Sequence, residues 1–516
     1  MKRFLYILLA LVISAGLLTG CSRGPAADAA AGFVNPDKVR KIVELNSEKD
    51  LDALVKELKS ARVIPLKSGS YIVAVDKDEE SKLEQKLAAV RGVKRVAAPG
   101  RIGIIEPITK VKVGRDLIVA GLEQLNDVPV NDPGAKSQWS LAYTQSSSVW
   151  QQISQKKTVN VAVVDTGVDY NHPDLKNRVR KDLGYDFVNN DHDPMDDNGH
   201  GTHVAGIIAA EANNNEGIVG ITGTLEVNII PVKVLDRDGM GQTDAIARGI
   251  EYAADQGADI INLSLGGEGE DPDIAGAVKY ALNKGAFVVA AAGNDSRSCD
   301  QYTPAGLADV YTIAASNLLN RKAVFSNYGD SVDIAAPGVK ILSTVPGGEY
   351  EAWDGTSMAA PVVSGIAAML KAQDPELDIQ KLASILNQSA KDVMEAGKDQ
   401  KTGYGIIDAA NAYALSTGAA PVQNTAPSIP INRMISNEQG RLLERLGQIT
   451  GSIKGININE LDAAKTFTSS NNAAAPARQN LQIKKEELAG RLKGLQSENQ
   501  EEIEGAKNKC EDKTCS

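Results

Sequence analysis

Between residues 159 and 291 the chain carries four short, nearly unbroken apolar runs: 159–164, 227–232, 260–263 and 286–291. Stretches with helical periodicity lie between and beside them, at 203–212, 243–256 and 273–284. A strand with one face in water alternates apolar and polar residues, whereas these runs are apolar at successive positions, so both faces must be covered. Helices placed between such strands provide that cover. The pattern therefore predicts an α/β domain, a mostly parallel sheet with helices on both faces, over about residues 139–417. Aromatics are only 4% of the 516 residues, so the core must rest on Val, Ile, Leu and Ala.

The flanks read differently. Residues 39–99 predict a small α+β unit, with helical windows at 49–60 and 77–90 and short strands at 62–66, 71–75 and 93–97. If 39–45 is also extended, the order is β-α-β-β-α-β, the ferredoxin-like arrangement. Residues 100–138 form a linker and the start of the main domain. Within them 104–135 reads as irregular, with a strong turn signal at Asn131-Asp132-Pro133-Gly134. After residue 417 an Ala- and Pro-rich linker precedes a charged helical window, so 418–516 is an extension of unassigned role.

Lys2 and Arg3 precede an apolar run at 4–18, which marks residues 1–20 as an export signal too short to span a bilayer. The run ends in Leu18-Thr19-Gly20-Cys21, which resembles the bacterial lipobox, so lipidation is expected at Cys21, with a tether over 21–38. Export permits disulfides, and Cys510 with Cys515 could close a small loop, leaving Cys299 unpaired. A net charge of −11 argues against a nucleic-acid partner, which clustered Lys and Arg would serve.

In an open parallel sheet, strand C-termini and helix N-termini meet on one rim, where ligands bind. Three segments fall there. Asp165 ends the run 161–164, His200 stands in Asn198-Gly199-His200-Gly201-Thr202-His203, and Ser357 stands in Asp354-Gly355-Thr356-Ser357-Met358-Ala359-Ala360-Pro361. A serine hydroxyl is a weak nucleophile and needs a base to take its proton. Imidazole titrates in the right range, and a buried carboxylate fixes its tautomer. Alone, Asp165 reads as a turn residue, Ser357 as a helix cap, and His200 with His203 as half a metal site without a third ligand. Together they read as nucleophile, base and orienting acid. Asn294, after the run ending at 291, could supply an oxyanion donor beside the Ser357 N–H.

These four segments, in the order Asp–His–Asn–Ser, resemble the subtilisin-like serine protease family, and 403–409 resembles its last core segment. The resemblance implies a subtilisin-like fold and peptide-bond hydrolysis through an acyl-enzyme. His172, His192 and His203 would be scaffold or loop residues. Ser264, Leu265 and Gly266 on one side, and Gly239 and Gly241 on the other, would sandwich an extended peptide substrate. The primary pocket, near 295–302, leaves a preference for basic residues open. Structural calcium is implied at Asp132, Asp174 and Asn214, with carbonyls from 212–218. A second, thermitase-like loop would use Asp186, Asp191 and Asp193, with Asn189 where relatives carry Asp. Residues 39–99 would be an inhibitory, folding-assisting propeptide, cut off between about 96 and 131. The lipid anchor would then be temporary, with mature enzyme extracellular or at the cell surface. A rival reading is a non-catalytic relative that only binds peptides; the intact set of residues argues against it.

Overall fold

The computed structural model describes residues 38–58, 61–113 and 128–419. The signal-like segment, Cys21, nearly all of the tether, and the expectations for Cys510, Cys515 and the charged window lie outside the described residues. Everything described belongs to one compact unit, Met1–Pro427.

Val39–Leu45 (β1), Leu51–Glu57 (α1), Arg62–Pro65 (β2), Ser70–Val75 (β3), Glu80–Ala89 (α2) and Val93–Ala97 (β4) form a first layer. Its antiparallel sheet has the order β2-β3-β1-β4. Val43, Val73, Leu54 and Leu87 pack between sheet and helices. Each helix starts later than its periodic window because a 3-10 turn, Glu48–Asp50 or Lys77–Glu79, precedes it.

Two strands follow, Arg101–Ile104 (β5) and Thr109–Val113 (β6). They correct the reading of 104–135 as irregular throughout. The Thr-Lys-Val-Lys-Val alternation of β6 is too short to declare a strand by itself, and partners elsewhere in the chain complete it.

Val159–Asp165 (β7) and Tyr185–Asp186 (β8) lead to helix His200–Ala209 (α3). Val227–Lys233 (β9) and Met240–Gln242 (β10) lead into Thr243–Asp255 (α4). Ile260–Leu263 (β11) and Leu265–Glu268 (β12) lead into Pro272–Asn283 (α5). Phe287–Ala291 (β13), Tyr302–Thr303 (β14), Tyr311–Ser316 (β15) and Val332–Pro337 (β16) come next. The hairpin Ile341–Val345 (β17) and Glu349–Asp354 (β18) then runs into Thr356–Gln373 (α6). Seven strands form one sheet in the order β16-β15-β13-β11-β7-β9-β8, with every neighbouring pair parallel.

Both faces are covered, as the apolar runs require. On one face α6 lies buried from Thr356 to Ala372, packed with Val161, Val163 and Val289. On the other, α4 and α5 cover Ala162, Val164, Ile230 and Val288. Each Val or Ile so buried contributes about 1.5–3 kcal/mol. The chain leaves β7 toward β9 on one side and returns to β11 on the other, so the strand order reverses at β7. That is the switch point where such sheets open a crevice at their C-terminal edge.

The first layer rests on α4 and α5 through charge. Arg40 pairs with Asp244 at 2.9 Å, Arg95 with Asp273 at 3.1 Å, and the Glu251 carboxylate accepts the Lys67 N–H at 2.8 Å. Burial pushes the Glu251 carboxyl up to about 7.

Candidate active site

Asp165 is fully buried at the end of β7. Its carboxylate accepts the Thr166 N–H at 2.7 Å and the His200 Nδ1–H at 2.8 and 3.0 Å. His200 is the first residue of α3, as a histidine opening a helix requires. Gly199, at φ 110°, turns the chain into the helix three residues earlier than periodicity suggests. Gly201 lets α3 approach this turn, because a Cβ there would sit 2.1 Å from the Gly167 carbonyl oxygen. With Nδ1 bound to Asp165, the Nε2 of His200 is left buried and without a partner among the described residues.

Ser357 is the second residue of α6. Pro361, four residues on, has no N–H, so the Ser357 carbonyl lacks its helical donor. The Ser264 hydroxyl supplies one at 3.0 Å. Ser264 is held by the Asn262 amide at 2.9 Å, and Asn262 by the Ser364 hydroxyl at 2.9 Å. This buried network ties the start of α6 to the end of β11. Asn294 is fixed from the same helix start: Thr356 donates to its side-chain oxygen from both N and Oγ1 at 2.9 Å, leaving the amide N–H groups free to act as donors.

The crevice holds the chain's own residues. β5 lies antiparallel between β10 and β12, with Met240 opposite Gly103 and Gly266 opposite Gly103 from the other side. Gly239, Gly241, Ser264, Leu265 and Gly266 are thereby brought around one extended strand. Ile104 donates to the Gly239 carbonyl at 2.8 Å, and Ile105 donates to that of Ser264 at 3.3 Å. The Ser357 hydroxyl donates to the Ile105 carbonyl at 2.9 Å and to that of Ser264 at 3.2 Å. The Asn294 amide donates to the next carbonyl, Glu106, at 2.9 Å. In the segment 295–302, Asp295 accepts the Tyr302 hydroxyl at 2.9 Å, and Asp300 turns back to the Ser331 N–H and the Ser298 hydroxyl.

Among the expected metal residues, Asp132 and Asp174 are both buried and share Asn214. The Asn214 N–H donates to Asp132 at 3.1 Å, and its side-chain amide donates to Asp174 at 2.8 Å. Burial raises both carboxyls, and the Asp174 charge adds to the rise at Asp132. Their oxygens already accept protein donors: the Asn213 and Asn214 N–H groups at Asp132, and the Asn214 amide, the Ile218 N–H and the Tyr350 hydroxyl at Asp174. The second loop converges less: Asp186 spends its oxygens on Val188 and Asn189, while Asp193 pairs with Lys181 at 2.9 Å. Among the described residues, no three His, Cys, Asp or Glu side chains gather into a metal cluster. Cys299 is buried and has no disulfide partner among the described residues.

One residue important to the site escaped the sequence reading. Asp196, buried, accepts from Thr166 Oγ1, Thr202 N and Oγ1, and the N–H groups of Asn198 and Gly199, all within 2.6–3.0 Å. Thr166 Oγ1 in turn accepts from Gly201 N. Asp196 thus locks the start of α3 to the turn after Asp165, and the Asp-x-x-Gly-His spacing was its only trace.

A family profile described as "Subtilase family" matches residues 156–405. A thermophilic serine proteinase from a Bacillus strain is 40% identical over 365 residues, covering 67% of this chain and 88% of that protein. Thermitase from Thermoactinomyces vulgaris is 46% identical over 244 residues, covering 47% of this chain and 85% of thermitase. A cell wall-associated protease of Bacillus subtilis is 50% identical over 233 residues, covering 45% of this chain and 26% of that protein. The crystal structure of fervidolysin from Fervidobacterium pennivorans, a keratinolytic enzyme related to subtilisin, superposes with a TM-score of 0.61. It is 29% identical and covers 75% of this chain and 62% of that one.

Replacing Asp196 by Ala strands five donors in a buried space. Asp196→Ala is expected to lose about 3 kcal/mol of stability in denaturant titration. It should also lower kcat on the order of a hundredfold by loosening His200, with a smaller change in KM.

Proposed function

This chain belongs to the subtilase family and is a subtilisin-like serine protease; we propose that it is an exported, calcium-stabilised endopeptidase that first cuts itself. Its own extended backbone, threaded between β10 and β12 with the Ile105 carbonyl on the Ser357 hydroxyl, is the observation that carries this reading. The site accepts a polypeptide by strand addition, which favours extended or unfolded substrates.

In the proposed reaction the Ser357 oxygen bonds to the carbonyl carbon while its proton passes to His200 Nε2. Asp165 steadies the imidazolium through Nδ1–H. Asn294 and the Ser357 N–H hold the oxyanion. The C–N bond then breaks, the amine leaves with the proton from Nε2, and water cleaves the acyl-enzyme by the same route.

Residues 39–99 act as the propeptide, docked through the Arg40, Lys67 and Arg95 contacts. We place the self-cut at Ile105–Glu106, because Ser357 faces that carbonyl and the next bond is a tertiary amide to Pro107. The lipid on Cys21 then leaves with the propeptide, making the anchor temporary and the mature enzyme extracellular. Asp132, Asp174 and Asn214 would hold calcium, which would neutralise the two buried carboxylates. Asp186, Asp191 and Asp193 form a weaker second loop, since Lys181 already occupies Asp193.

In casein hydrolysis, Ser357→Ala should lose at least about a thousandfold in rate and remain full length. N-terminal sequencing of active wild type should give Glu106. Equal activity in both proteins would end the protease reading, and an N-terminus before residue 101 would end the placement of the cut.

A ligand that binds only the folded state raises its stability. Free calcium at a hundredfold over its Kd should therefore raise Tm by about 5 °C. Asp132→Asn should abolish that increment, and a Tm indifferent to calcium would leave the site without an ion.

A further inference from the structure

Beyond Glu106 the chain does not leave the cleft. Ile108 donates its N–H to the Asp354 carbonyl at 2.8 Å. β6 then pairs antiparallel with β18 over five residues, from Thr109 opposite Asp354 to Val113 opposite Tyr350. The small sheet has the order β17-β18-β6, so without β6 the strand β18 would be an edge. An edge strand presents unpaired N–H and C=O groups that template another strand. This edge ends three residues before Ser357, on the side opposite the β10–β12 sandwich.

Side chains add a preference. The Lys110 ammonium lies 4.5 Å from the Trp353 ring centre, and Lys112 stands opposite Glu351 in the register. Val113 is buried with Leu342 and Tyr350. Trp353 is held in place from below: it stacks on His203 at 4.2 Å with the planes 8° apart, and its indole N–H donates to Glu351 at 2.7 Å. Burial holds His203 down to about 3, so the ring under Trp353 is neutral and does not repel a cation above it.

We propose that the edge of β18 is a recognition site for the substrate chain on the C-terminal side of the bond being cut. The third to eighth residues beyond that bond add as an antiparallel strand, and basic side chains are favoured at the fifth and seventh. This rests on the protease reading and on the cut at Ile105–Glu106. After that cut, residues 106–113 stay covalently joined to the catalytic part, so β6 is a built-in competitor for the same edge.

The test uses two fluorogenic peptides that share Arg-Ile-Gly-Ile-Ile before the cut. One ends two residues later; the other continues as Glu-Pro-Ile-Thr-Lys-Val-Lys-Val. Both are assayed with the processed full chain and with Val111→Pro, which disrupts β6 without touching β18. The variant should raise kcat/KM for the long peptide about tenfold and leave the short peptide unchanged. Exchanging both lysines of the long peptide for glutamate should cancel most of that gain. An unchanged long-to-short ratio overturns the proposal. If the proline variant fails to fold, seen as loss of short-peptide cleavage, the double change Lys110→Glu with Lys112→Glu loosens β6 with its backbone intact and is read the same way. Failure of the wild type to cut even the short peptide would remove the protease reading itself, and the proposal with it.

Discussion

The structure depends on one buried pair, the Asp165 carboxylate and the His200 imidazole. A carboxylate without solvent is costly unless donors surround it. Here those donors are the Thr166 N–H and His200 Nδ1–H, so the pair holds only if β7 and α3 meet in one geometry. The surroundings enforce that meeting. Asp196 gathers five donors from the turn and from the start of α3, and Gly201 removes the Cβ that would hold the helix off. Lys233, buried beneath, donates to the carbonyls of Thr166 and Leu235 and pairs with Asp197 at 2.6 Å. The parallel sheet fixes where β7 ends, and this polar lattice fixes the direction in which His200 points.

The crevice is filled along its length by the chain's own residues. On one side β5 is held by β10 and β12; on the other β6 is held by β18. Across the middle, Ser357 addresses the carbonyl of Ile105 and Asn294 that of Glu106. Hydrolysis needs one carbonyl to meet both groups, so the threaded chain sits one residue out of step between its two anchored halves.

Much of this was legible in the sequence because it follows from local rules. Unbroken apolar runs forced a sheet covered on both faces, and the acid at a strand end and the imidazole at a helix start are bonded to each other, while the Ser357 hydroxyl turns to the carbonyls of Ile105 and Ser264. Gly239, Gly241 and Ser264 to Gly266 were readable as lining for an extended chain, and a strand does lie between them. What escaped depends on partners distant in sequence. β6 has no signal without β18, more than two hundred residues later. Asp196 looks like any loop acid until Thr166 and Thr202 are beside it. The histidine segment reads as the opening of a helix, and His200 does open α3; only the periodic window at 203–212 starts late, because capping by Gly199 and Asp196, not hydrophobic periodicity, decides where the helix begins.

A Ser357 nucleophile activated by His200 and oriented by Asp165 should react selectively with an electrophile that mimics an acyl substrate. Labelling the processed protein with a fluorophosphonate, followed by peptide mass spectrometry, tests it most directly. A single phosphonylated residue, Ser357, is expected, with labelling at least about a hundredfold slower in His200→Ala. Label on another residue, or an equal rate in the His200 variant, would contradict it.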